Sequence, residues 1–93
     1  MVIGVCEFEL HLDGIQSLKS KRGVLNRLKA RISNKFNVSV AEVDQLDSWQ
    51  RSTIAVAIVA NEQRFANQVL SKVSDLVASD GQVMMIGQRM QFL

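Results

Sequence analysis

Ninety-three residues are enough for one domain and too few for two. The 47% hydrophobic content argues against disorder, and no stretch approaches the roughly 20 apolar residues of a membrane span. The net charge of +2 conceals a concentration: seven of the eleven basic residues lie in positions 19–35, giving +7 there, while the other four basic and nine acidic residues leave the rest at −5.

A chain this short buries only roughly 60–65% of its unfolded surface, so most of its apolar residues must share one core. The opening residues Met1 to Glu7 have no basic region ahead of their apolar run, which Glu7 interrupts, so a signal peptide is not expected. The single cysteine, Cys6, cannot form an internal disulfide, and a reducing cytoplasm is the expected compartment. One histidine and one cysteine also fall short of the usual zinc ligand sets, and neither a metal nor a cofactor is expected.

In chain order, Val2 to Leu12 alternates with a period of two, which predicts a strand with one buried face. Val2, Cys6, Phe8 and Leu10 point inward, while Ile3, Val5, Glu7, Glu9 and His11 point out. Asp13-Gly14 breaks the strand. Ser17 is the expected N-cap of a helix reaching Phe36, with Leu18, Leu25, Leu28, Ile32 and Phe36 on one stripe. Val38 to Val43 predicts a short strand, then a turn, then a long third strand from Trp49 to Ala60. Asn61 is expected to cap a second helix reaching Ser79, whose core stripe includes Phe65, Ala66, Leu70, Val73 and Val77. Asp80-Gly81 ends it, and Gln82 to Phe92 reads as the last strand, bulged at Gly87.

The order βαββαβ with right-handed crossovers implies a single ferredoxin-like α+β domain over residues 1–93. Its antiparallel sheet would run 4-1-3-2 with both helices on one face. On the open face Ile3 and Val5 should lie near Ala57 and Val59, an apolar patch of the kind a second copy of the chain covers. A cross-strand pair between Glu7 or Glu9 and Arg51 is also expected.

Ile3-Gly4-Val5 opens the chain, Gln16-Ser17-Leu18-Lys19-Ser20-Lys21-Arg22 enters the first helix, and Phe36 to Asp44 reads Phe-Asn-Val-Ser-Val-Ala-Glu-Val-Asp. With Trp49-Gln50-Arg51 heading the third strand, the chain resembles the YlxP-like family, small bacterial domains of unknown function. The resemblance implies a ferredoxin-like fold and a cytoplasmic bacterial protein. It also implies genes set among those for translation and ribosome maturation, which leans toward RNA. No catalytic residue or cofactor carries over.

The basic segment supports two readings. Lys19, Lys21 and Arg22 crowd a helix N-terminus, where the dipole disfavours cations unless an anion is near. Along the rest of the helix Arg27, Arg31 and Lys35 extend a footprint suited to phosphates rather than base edges. The plainer alternative is a solvated helix. An RNA-recognition motif stacks bases on aromatics of strands 1 and 3. Here strand 1 offers only Phe8, on the core side, and strand 3 only Trp49 at its start, so base stacking on the sheet is not expected. Ile15 to Lys21 faintly resembles the anion loop of acylphosphatases, but Ser17 replaces its glycine, Lys21 its arginine, and strand 3 lacks an asparagine. Glu42, Asp44 and Asp47 read as a solvated acidic hairpin, Glu7, Glu9 and His11 as an exposed strand end, and Cys6 as an inert core residue.

These features predict a non-enzymatic cytoplasmic module contacting RNA or a ribosome-associated partner through Lys19, Lys21, Arg22, Arg27, Arg31 and Lys35, with Trp49 and Arg51 as auxiliary contacts. The alternative is a homodimer binding a small anion or a protein through the helix start and the open face of Ile3, Val5, Ala57 and Val59. No membrane partner is expected.

Overall fold

The computed structural model of the protein describes residues 1–93 as β1 (Val2–His11), α1 (Leu18–Lys35), β2 (Ser39–Asp44), β3 (Arg51–Ala60), α2 (Gln63–Ala78) and β4 (Met84–Phe92). The four strands form one antiparallel sheet in the order β2-β3-β1-β4. Both helices pack on one of its faces, giving the ferredoxin-like α+β arrangement expected from the sequence.

Alternation in β1 decides which face is buried. Cys6, Phe8 and Leu10 lie fully inside beneath the helices, and Val56, Ile54 and Ile58 of β3 join them. Gly4 stands on that same inner face, where a Cβ would come within 3.0 Å of Leu70 Cδ1. Its lack of a side chain lets α2 approach the sheet. From the helices come Leu25, Leu28 and Ile32 of α1 and Ala66, Leu70, Val73 and Val77 of α2.

Several expectations are corrected at the edges. Ser17 does cap α1, its Oγ accepting from the Ser20 N–H at 3.1 Å, but the cap of α2 is Glu62 rather than Asn61. Phe65 is half exposed, because the buried stripe of α2 recurs from Ala66 at intervals of four, three and four residues and leaves its neighbour on the flank. The β4 bulge falls on Ile86, the residue skipped when the partners of Glu9 and Leu10 step from Gly87 to Met85. On the open face Ile3 pairs with Val59 and Val5 with Ala57, as expected. Glu7 meets Arg89 of β4 at 2.5 Å instead of Arg51, since Arg89 lies directly opposite it whereas its β3 neighbour is Ala55.

Candidate nucleic-acid interface

The cations of α1 divide by helical angle, 100° per residue. Lys21 precedes Leu25, Leu28 and Ile32 by four, seven and eleven residues, which places it inside the apolar stripe. It is accordingly buried, at 2% exposure. Its Nζ donates to the Gln45 carbonyl at 2.7 Å and contacts Glu42 Oε2 at 2.8 Å. That Glu42 oxygen also accepts from Ser52 Oγ at 2.8 Å. Gln45 takes a left-handed conformation, φ 64°, rare for a residue with a side chain, in the turn that brings its carbonyl to the lysine. Lys21 is therefore a structural tie between α1 and the β2–β3 hairpin, and its assignment as a phosphate contact is corrected.

Arg27 and Arg31, one turn apart, face α2 and converge on Asp80, just beyond that helix. Arg27 donates through both terminal nitrogens to the two carboxylate oxygens at 2.9 and 2.8 Å, and Arg31 donates to Oδ2 at 2.7 Å. The Asp80 side chain is buried, while the two arginines stay 39% and 45% exposed. The Arg27 hydrogen bonds hold the Asp80 carboxyl below its ordinary value against the desolvation of burial, helped by the Gln82 N–H and by Arg31. The same bonds hold the Arg27 pKa above its ordinary value. Arg27 Nε is shielded and has no acceptor. The reading of these two arginines as uncommitted cations is corrected: one carboxylate offsets one of their two charges, and the triad keeps a net +1.

Lys19 and Arg22 are exposed, Lys29 is half-buried, and none has a carboxylate partner. They form a second stripe on the side of α1 away from α2. Exposed Lys35 and Lys72 join Arg31, Asn34, Asp75 and Ser79 around a groove of about 550 Å³ between the helices. From sequence alone, Lys29 counts in the basic segment but is left out of the contact set, and the α2 cations Arg64 and Lys72 are passed over, their signal weak because each stands alone in its stretch of chain. Trp49, 51% exposed, and the exposed Arg51 lie at the β2–β3 turn, which Lys21 ties to the N-terminal half of α1.

Charge thus separates by layer. The helix layer holds nine cations (seven on α1, with Arg64 and Lys72) against Glu42, Glu62, Asp75 and Asp80, a net +5. The open sheet and its turns hold Glu7, Glu9, Asp13, Asp44 and Asp47 against Arg51 and Arg89, a net −3. Separation on this scale sets up opposing potentials on the two faces.

Other groups offer less chemistry. Burial, with the neighbouring Glu7 carboxylate second, pushes the Cys6 thiol up to about 11. No three His, Cys, Asp or Glu side chains come together in an arrangement able to hold a metal ion, and no helix is long and apolar enough to cross a membrane.

Comparison with known proteins gives kinship without an activity. A Bacillus subtilis (strain 168) protein described as uncharacterized protein YlxP is 37% identical over 78 residues, covering 84% of this chain and 85% of its own. Among solved structures, LarC2, the C-terminal domain of a cyclometallase involved in the synthesis of the NPN cofactor of lactate racemase, aligns in its apo form with a TM-score of 0.42 and 13% identity. That alignment spans all of this chain and 56% of the other. The family described as protein of unknown function (DUF503) matches residues 3–90, and the chain belongs to that family.

Proposed function

We propose that this protein is a non-enzymatic cytoplasmic module that binds RNA, free or in a ribosome-associated particle, by laying its helix layer along the phosphate backbone. The observation that carries the reading is the +5 charge left on that layer once Glu42 and Asp80, bonded to Lys21, Arg27 and Arg31, and the further acids Glu62 and Asp75 are counted. The contacts would be Lys19, Arg22 and Lys29 on one side of α1 and Arg31, Lys35 and Lys72 around the inter-helix groove. An 18-residue helix is about 27 Å long, enough to follow several phosphates. Exposed aromatics for base stacking are missing from the central strands, so affinity would be electrostatic and largely independent of sequence. The translation-linked setting implied by the family resemblance favours RNA over DNA.

The test is RNA binding by fluorescence anisotropy across a salt series. Log K should fall against log salt with a slope of about −3, some four released counterions at roughly 0.7 each. Lys19→Glu with Arg22→Glu, or Lys35→Glu with Lys72→Glu, should each flatten that slope by more than one. Salt-insensitive binding, or none at low salt, sinks the reading.

A further inference from the structure

We propose that the open sheet face is the interface between two copies of this chain, related by a two-fold axis parallel to the strands and midway between β1 and β3. This goes beyond the RNA reading and is independent of it, because it uses the opposite face of the molecule. The two central strands present Ile3 and Val5 beside Val59, Ala57 and Ala55. Ala55 in turn lies beside Ala41 of β2. Alanine is disfavoured on a solvated strand, where threonine fits better, whereas a flat row of small side chains suits a second layer packed about 10 Å away.

The occupant follows from charge and shape. On the two central strands and β4 of this face Glu7 and Glu9 are balanced by Arg51 and Arg89, so the strands around the axis carry no net charge against their own copy, and the excess acid Asp44 lies out on edge strand β2. The helix layer at +5 does repel its copy. Rotation about the stated axis sets each β1 side chain over one of the partner's β3. Ile3 then covers the partner's Val59, Val5 the partner's Ala57, and Glu7 the partner's Ala55, the last two setting a large side chain on a small one. The Glu7 carboxylate enters already bonded to Arg89, so no unpaired charge leaves water there. Glu9 and Arg51, which have no ion partner within the chain, come within reach of each other across the axis. Three strands of nine or ten residues and one of six, about 4.8 Å apart, give a face of about 550 Å² per copy. A pair would bury about 1,100 Å², above the roughly 1,000 Å² that a biological interface needs and just under the usual range for stable ones. Such a dimer would carry its two basic helix layers on opposite outer surfaces.

Sedimentation equilibrium of the full chain tests this. Wild type is expected at twice the chain mass, and Val59→Asp, at a residue 69% exposed, at once the chain mass with its circular dichroism unchanged. Glu9→Arg should weaken the dimer at least tenfold, and adding Arg51→Glu to the same chain should restore it. A wild-type monomer at every soluble concentration, alone or with some other protein on this face, overturns the proposal. So does a dimer indifferent to Val59→Asp, or a Glu9→Arg defect that Arg51→Glu leaves unrepaired.

Discussion

Arg27 holds Asp80 with both arms of its guanidinium, at 2.9 and 2.8 Å across 53 positions of sequence. This fork fastens the middle of α1 to the turn that leads from α2 into β4 and, with Arg31, sets how much of the α1 charge remains for a partner. Asp80→Asn should therefore act twice. Losing a buried, charge-assisted network should lower the unfolding free energy by about 2–4 kcal/mol, measured in urea. The helix layer would also rise from +5 to +6, so the salt slope of RNA binding should steepen by up to about 0.7. Unchanged stability would show the fork to be idle.

The same carboxylate predicts how stability responds to acid. Its folded pKa is depressed by Arg27 first, so the unfolded chain binds the proton more readily. Its contribution is complete well above the ordinary carboxyl value of 3.8 and is lost as pH falls through the lower folded value. Urea midpoints measured in pH steps should decline below about pH 5, as linkage requires, and decline less in Asp80→Asn. Parallel curves for the two proteins would remove Asp80 from the acid response.

Lys21 and Glu42 should behave as a structural pair and not as part of a binding site. Lys21→Ala strands Glu42 and the Gln45 carbonyl without their cation and should cost about 2–4 kcal/mol of stability. Lys21→Met with Glu42→Gln removes both charges together and should recover much of that loss. RNA affinity of the double variant should stay within about twofold of wild type, since the pair contributes no net charge. A larger fall in affinity would return Lys21 to the interface.

Cys6 should be silent toward thiol reagents in the native state. It is fully buried with its pKa raised to about 11, so almost no thiolate is present or reachable at pH 7. Labelling by a disulfide reagent should rise with denaturant in step with unfolding seen by circular dichroism. Fast labelling of the native protein would contradict the packing of β1.

Much of the architecture was written in local pattern. Alternation in β1 marked Cys6, Phe8 and Leu10 for the core because successive strand residues point to opposite faces, and the Leu25-Leu28-Ile32 spacing oriented α1 for the corresponding helical reason. Even the burial of Lys21 was legible, since it extends that spacing by one turn, although a charged residue in an apolar stripe is more often a flanking one. Asp80, as the acid that Arg27 and Arg31 share, was not legible. Nothing local distinguishes it from Asp75 or Asp13, and only the fold carries the α2–β4 turn to the side of α1.

What sequence alone determined, then, is which residues face inward, which strands pair and where positive charge is dense, because each depends on neighbours within a few positions or on the chirality of short connections. Tertiary structure alone decided which of those charges are already compensated. An ion pair needs two side chains within a few ångströms, and for Lys21 and Glu42 or Arg27 and Asp80 that closeness exists only after residues distant along the chain have been folded together.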